Sequence, residues 1–309
     1  MKQPAITVLL SVFNGRRFVR EAVESILAQT FRDFEFLIID DGSTEPISEL
    51  INSFCDPRIR LVRQENCGLA RSLNRGIKEA TGEFIARMDA DDVSAPRRLE
   101  LQHEAISLNR DLDLVGSFFR VIDDRGEVVE EKQILIDEYY RLWRLQFHNN
   151  YAHGSMMFRE SAVAAAGMYN EELTVAQDYD LWSRVCRPGN SCVITEYLYS
   201  HRIRTDGEQA SVRNYDTQVQ TAACISNRNL TECNPNLTEE QCRLVRALYW
   251  EFEGQTFTGN SHEDFWQTFE GFCGRFGLTG KSESTLRDKV SQDYLTKITP
   301  LGSRGRSGV

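Results

Sequence analysis

The sequence predicts an α/β fold: a doubly wound, mostly parallel sheet with flanking helices, followed by an α-helical C-terminal segment. Three observations carry this. Between residues 5 and 109 an apolar run of strand length and a polar turn alternate with amphipathic segments, four times over. Each polar turn falls just past the carboxyl end of its apolar run, the edge where open parallel sheets bind ligands. Beyond about Tyr215 strand signals vanish and only helical periodicity remains.

Ala5 to Leu10 (AITVLL) is continuously apolar, as a strand buried on both faces requires. Ser11 to Gly15 makes the turn, and Phe18, Ala22 and Ile26 with Val19, Val23 and Leu27 mark one helix face. A second strand, Phe34 to Ile39, ends in Asp40-Asp41-Gly42-Ser43-Thr44. Next come a helix (Ile47, Leu50, Ile51, Phe54), a strand over Ile59 to Arg63, the turn Asn66-Cys67-Gly68 and a helix carrying Leu69, Leu73 and Ile77.

The fourth unit, GEFIARMDADDVSAPRRL from Gly82 to Leu99, runs from a strand straight into Asp89, Asp91 and Asp92. Ser94 and Pro96 are residue types that cap and start a helix. An apolar strand offers three acids no counter-charge. A divalent cation shared with a phosphate-bearing ligand would supply it; a solvated turn whose Asp residues cap the next helix is the other reading. Polar residues past all four strand ends favour the ligand site.

Leu112–Val121 and Glu127–Val129 then flank a hairpin-like turn at Asp123 to Gly126. A helix with Tyr139, Leu142 and Trp143 follows, then a strand over Gly154–Phe158 and a short helix over Glu160–Ala166 stopped by Gly167. Val175 to Trp182 opens another helix with acids in its first turn. Val193–Ile203 forms the last strand. Four helical segments complete the chain, roughly Tyr215–Leu230, Thr238–Phe252, Ser261–Phe276 and Ser284–Thr296. Thr238 and Gln241 form a capping box for the second. Trp250, Phe252, Phe265, Trp266, Phe269 and Phe272 read as core aromatics. The expected domains are 1–214 (the α/β part, with the ligand edge), 215–300 (helical) and a disordered tail at 301–309 rich in Gly, Ser and Arg.

The net charge of −10 argues against a nucleic-acid surface. It does not argue against a phosphorylated small molecule whose metal brings its own positive charge. Eight scattered cysteines without a CxxC pair fit reduced, mostly buried thiols. No signal-peptide-like region opens the chain and no apolar run could span a bilayer. A cytoplasmic protein is expected, with peripheral association at the inner membrane face left open.

AITVLLSVFNG, LIIDDGST, QENCGLARSLNRGIKEATGEFIARMDADD and QDYDLW together resemble the successive motifs of family-two glycosyltransferases of the GT-A fold, over about residues 5 to 210. The resemblance implies metal-dependent, inverting hexosyl transfer from a nucleoside-diphosphate sugar, UDP-linked by preference, to a glycan or lipid-linked acceptor in cell-surface glycan synthesis. It implies that backbone near Ser11 to Phe13 and the Asp41 carboxylate hold the base, with Arg71 near base or phosphate. Asp89 would face the ribose and the metal's water shell, and Asp91 would ligate Mn2+ or Mg2+. Asp178 would take the proton from the acceptor hydroxyl.

Two departures stand out. The family's Glu-Asp is Gln177-Asp178 here, and its Tyr-Arg-x-His is His201-Arg202-Ile203-Arg204, so that Arg204 stands where the family has a histidine near the diphosphate. An arginine grips phosphate oxygens but does not ligate a metal. His201 reads as structural, and His153 either faces the acceptor or is structural. The departures keep a second reading open, a catalytically impaired nucleotide-sugar-binding or scaffold protein of the same fold. A dinucleotide-dependent oxidoreductase is disfavoured because the first turn, SVFNGRR, lacks GxGxxG.

Overall fold

The computed structural model describes residues 3–204, 214–250 and 261–298. The chain divides into two compact units, one of residues 1–138 and 150–218, the other of 139–149 and 219–309.

The first unit is built on a sheet whose first half is the predicted repeat: β1 (Ile6–Val12), α1 (Val19–Leu27), β2 (Phe34–Asp40), α2 (Ser48–Asn52), β3 (Ile59–Arg63), α3 (Leu69–Glu79) and β4 (Phe84–Met88). These four strands are parallel in the order β3-β2-β1-β4, with Leu10 opposite Ile38 on one side and Met88 on the other. All seven residues of β1 are buried, which is why the strand shows no alternation. α1 packs Val19, Ala22, Val23 and Ile26 against one core, and α3 buries Leu73 and Ile77. Because the strands are parallel, the turns after Val12, Asp40, Arg63 and Met88 open on one edge.

The second half of the sheet is mixed. It comprises β5 (Val93–Ser94), β6 (Leu114–Ile122), β7 (Val128–Lys132), β8 (Met157–Arg159) and β9 (Ser191–Arg202), continuing the order as β4-β8-β6-β9-β5 with β7 beside β6. β6 and β9 are parallel, whereas β8 runs antiparallel to both β4 and β6. Helices α4 (Arg98–Leu108), α6 (Glu160–Ala165) and α7 (Gln177–Val185) complete this unit.

Two local expectations are corrected. Ser94 does not cap a helix: β9 captures Val93 and Ser94 as a two-residue strand, and α4 begins only at Arg98 without a side-chain cap. The strand expected from Gly154 begins at Met157. His153–Ser155 instead forms a 3-10 turn, with Met156 N–H donating back to the His153 carbonyl at 3.3 Å.

In the second unit α5 (Glu138–Leu145), most of which lies there, joins α8 (Tyr215–Cys233), α9 (Glu239–Trp250), α10 (Ser261–Arg275) and α11 (Gly280–Ile298). Its centre is Trp143, fully buried and edge-on to Tyr249, Phe265, Phe269 and Phe272 at ring-centroid distances of 5.9, 5.7, 5.4 and 5.3 Å. These rings are core, as expected. Phe252, the Trp250 side chain and the tail 301–309 lie outside the described residues. The capping box is formed: Gln241 N–H donates to Thr238 Oγ1 at 3.3 Å and Thr238 N–H to Gln241 Oε1 at 2.9 Å. All eight cysteines are free, with Cys186, Cys233, Cys242 and Cys273 buried and Cys55, Cys67 and Cys224 exposed. Among the described residues no helix is long and apolar enough to cross a membrane.

Candidate active site

At the end of β2, Asp40 and Asp41 are both buried. Asp40 Oδ1 accepts from Ser43 N–H at 3.0 Å and closes the turn. Gly42 has φ +80, and a Cβ there would lie 2.6 Å from the Asn66 nitrogen, so the turn and the 64–68 loop meet only through glycine. Asp41 organises that loop. Its Oδ1 accepts from Gln64 Nε2 at 2.7 Å and Cys67 N–H at 3.0 Å; its Oδ2 accepts from Gly68 N–H at 3.0 Å and Asn66 Nδ2 at 3.4 Å. Asn14 N–H donates to Ser43 Oγ at 3.0 Å, and Asn14 Oδ1 accepts from Thr44 N–H at 2.9 Å, which staples the first two turns together. Ser11 is buried at the end of β1, and the Phe13 side chain stands exposed beyond it. Arg71, on the first turn of α3, lies close enough to Cys67 to affect its thiol and pairs with Glu171 at 3.5 Å.

The acids after β4 have three different surroundings. Asp92 is buried and spent on β9: Oδ2 accepts from Tyr199 Oη at 2.6 Å and sits 3.3 Å from His201 Nδ1, while Oδ1 accepts from Arg202 N–H at 2.8 Å. Burial opposes charge on His201, but Asp92, their hydrogen bond and the charges of Asp89 and Asp91 push it up to about 9. Asp89 pairs with Arg87 at 2.5 Å. Burial raises its pKa, yet the Arg87 guanidinium outweighs this and holds the carboxyl below its usual range. Asp91 has no ion pair with lysine or arginine among the described residues. Burial first, then the charges of Asp92 and Asp89, push it up to about 7.

The counter-charge judged absent from the strand is therefore largely present, which corrects the sequence reading. Arg87 sits within β4 itself, fully buried. Its i, i+2 spacing to Asp89 puts both side chains on one face of an extended chain, a signal that was legible in IARMD. Arg98 lies beside it, donating to the Arg87 carbonyl at 2.8 Å and stacking over the Tyr199 ring at 5.0 Å. Arg202, also buried, donates to the Asp91 carbonyl at 2.7 Å, the Asp123 carbonyl at 2.8 Å and Glu21 Oε2 at 2.6 Å. Sequence reasoning missed Arg87, Arg98, Tyr199 and Arg202 as site builders.

Asp178 stands in the first turn of α7, where the helix dipole favours an acid. Burial first, and the charge of Asp178 among lesser causes, raise the pKa of the Tyr169 phenol. Before Asp178, Ala176 adopts the left-handed conformation (φ 54) and Gln177 buries Oε1 with no partner among the described residues. One ring nitrogen of His153 is taken up inside the protein: Nε2 is 2.7 Å from Tyr169 Oη, and burial and Arg87 push the pKa of this half-buried histidine down to about 3. Arg204 lies over the Phe18 ring at 5.8 Å, with Arg202 at 4.6 Å and Arg17 at 4.5 Å from the same ring.

Among the described residues no cluster of three or more His, Cys, Asp or Glu is arranged to hold a metal unaided. The donor set still fits a hard cation that takes only one or two oxygens from protein and the rest from a diphosphate and water. Asp91 is the carboxylate whose charge the chain leaves least compensated, and Asp89 is its neighbour.

A family model described as "Glycosyl transferase family 2" matches residues 7–164, half the chain. The chain belongs to glycosyl transferase family 2. Among family relatives, an uncharacterized glycosyltransferase of Methanocaldococcus jannaschii is 32% identical over 210 residues, covering 66% of this chain and 72% of that one. The O-antigen biosynthesis glycosyltransferase WbnJ of Escherichia coli is 32% identical over 224 residues, 68% of this chain and 84% of that one. Of solved structures, Staphylococcus aureus TarS 1-349 in complex with UDP-GlcNAc superimposes with a TM-score of 0.61 at 16% identity, covering 94% of this chain and 89% of that one. The mannosyltransferase PcManGT from Pyrobaculum calidifontis, in complex with GDP-Man and Mn2+, gives 0.53 at 16% identity, covering 96% and 83%. The fold is accordingly the GT-A type of this glycosyltransferase family.

Proposed function

We propose that this glycosyltransferase is metal-dependent and inverting. In this reading it moves a sugar from a nucleoside-diphosphate donor, UDP-linked by preference, to a hydroxyl of a glycan or lipid-linked acceptor in cell-surface glycan synthesis. The observation that carries the reading is the Asp91 carboxylate, raised to about 7 at the open edge of the sheet while both neighbouring acids have internal cations. The name of WbnJ, an O-antigen enzyme, and the UDP-GlcNAc complex of TarS support the substrate class. The domain reading is likewise proposed: donor and chemistry on residues 1–214, the helical segment as an addition.

Ser11, Phe13 and the Asp41 loop would hold the base, and Arg71 beside Cys67 would sit near base or phosphate. Since the Asp41 oxygens already bind five donors, a base N–H would share one of them or rely on the loop that Asp41 shapes. Asp91, helped by Asp89, would hold the cation. A divalent cation there supplies Lewis-acid neutralisation of charge on the departing diphosphate. Arg204 would add a permanent positive charge on the same side. Asp178 would accept the acceptor-hydroxyl proton, and the freed oxygen would attack the anomeric carbon opposite the diphosphate, inverting it.

The test is transfer and hydrolysis with UDP-hexoses, UDP-N-acetylhexosamines and GDP-mannose, with and without Mn2+, with product anomer read by NMR. Inverted product that depends on Mn2+ is expected. Asp178→Asn should lower turnover roughly 100-fold or more with donor affinity little changed. Tight UDP binding without any turnover would favour the scaffold reading, and a retained anomeric configuration would overturn the mechanism.

A further inference from the structure

We propose that His153 and Tyr169 act as a positioning pair that fixes Asp178 relative to the Asp89–Asp91 edge. The inference rests on the reading of Asp178 as base, and goes beyond it by assigning a role to two residues outside the base, cation and donor contacts proposed above.

The pair is anchored on both sides. On the β4 side the 3-10 turn carrying His153 is pressed against the acid run. A Cβ on Gly154 would fall 2.8 Å from Asp89 Oδ2 and 1.8 Å from Tyr199 Oη, so only glycine lets the turn approach. On the α7 side the His153 ring meets the Trp182 ring edge-on at 6.2 Å, and Trp182 lies four residues, about one helical turn, along α7 from Asp178. Tyr169 itself cannot drift. Its N–H donates to Asn74 Oδ1 at 3.0 Å and its carbonyl accepts from Asn74 Nδ2 at 2.9 Å, both from α3. Arg184 of α7 donates to the preceding carbonyl, Met168, at 2.7 Å.

Between these anchors runs one short bond, His153 Nε2 to Tyr169 Oη at 2.7 Å, with Tyr169 2% exposed. Both groups are neutral at physiological pH, because burial lowers the imidazole's pKa and raises the phenol's. A neutral pair suits this place. It links two carboxylate-bearing edges without adding a charge to either, and the burial of Tyr169 shields the bond from water on the phenol side. An error of about 1 Å between base and reacting centre can cost a factor of about 100 in rate.

The full-length protein is assayed with Mn2+ and the UDP-sugar that turns over fastest in the panel above; UDP binding is followed by calorimetry. Tyr169→Phe removes one hydroxyl and should lower kcat roughly 10- to 100-fold while the Kd for UDP with Mn2+ stays within about twofold of the parent. His153→Gln, whose amide can still reach Tyr169 Oη, should recover most of the rate, and His153→Phe should not. The double variant Tyr169→Phe/His153→Phe should be no slower than the slower single, as expected for one shared bond. A Tyr169→Phe kcat within twofold of parent, or a parallel loss of UDP binding, would overturn the proposal. So would a His153→Gln variant as slow as His153→Phe. Should Tyr169→Phe not fold, the two His153 variants decide it. Asp178→Asn run alongside separates the failures: if it retains turnover, the base assignment falls and this inference with it; if it is inactive while Tyr169→Phe is normal, only the pair is refuted.

Discussion

Asp41 and Asp91 stand just past the ends of two parallel strands, β2 and β4, yet their carboxylates are treated in opposite ways. Asp41 receives five donors from residues 64–68, two of them backbone N–H groups entering α3 and one the Cys67 thiol. Asp91 receives no cation from lysine or arginine among the described residues, and burial with two acidic neighbours pushes it up to about 7. The same residue type at the same topological place thus serves two ends. One carboxylate shapes the cleft, and the other carries charge that folding offsets only in part, through His201. Asp92, one residue further on, repeats the behaviour of Asp41 by tying β9 to the acid run.

Substitution should expose this contrast as opposite signs of stability change. The largest effect is expected at Asp92. Asp92→Ala strands the Tyr199 hydroxyl and the Arg202 N–H inside the protein and takes the acid from the part-exposed His201, and should cost about 2–4 kcal/mol in urea unfolding. A change below about 1 kcal/mol would mean the β9 contacts are held without it. Asp41→Ala should cost about 2–3 kcal/mol, because the N–H groups of Cys67 and Gly68 lose their acceptor. It should also weaken UDP binding equally with and without Mn2+; a purely Mn2+-dependent loss would erase the distinction from Asp91.

Asp91→Asn should do the reverse and stabilise the metal-free protein by about 1–2 kcal/mol at pH 8. The sign follows from the raised pKa. Between about pH 4 and 7 folded Asp91 keeps a proton that the unfolded chain has released, so the parent loses stability as pH rises through that window. The advantage of Asp91→Asn should therefore vanish by about pH 4. Equal Tm values for parent and variant at pH 8 would show that Asp91 carries no uncompensated charge.

The contrast also separates what the sequence displays from what it hides. β1, β2 and β4 were legible because burial on both faces leaves unbroken apolar runs, and the ligand edge was legible because polar residues follow each run. β5 and the 3-10 turn were not, since two or three residues are recruited by distant partners, β9 in one case and the Asp89–Tyr199 contact in the other. Arg87 could have been found from its spacing to Asp89. Tyr199, Arg202 and Tyr169 could not, because more than 75 residues separate each from the acid run they support. The aromatic core of the helical unit was foreseen, but not that the Trp143 stretch, set between strands in the chain, supplies its centre.

The most direct test of the central claim is calorimetric titration of UDP into the parent and Asp91→Asn, each with and without Mn2+. The account predicts that Mn2+ tightens UDP binding to the parent by roughly tenfold or more. It predicts that this enhancement disappears in Asp91→Asn, while metal-free UDP affinity and the fold are retained. An undiminished Mn2+ effect in Asp91→Asn would contradict it and move the cation to other ligands.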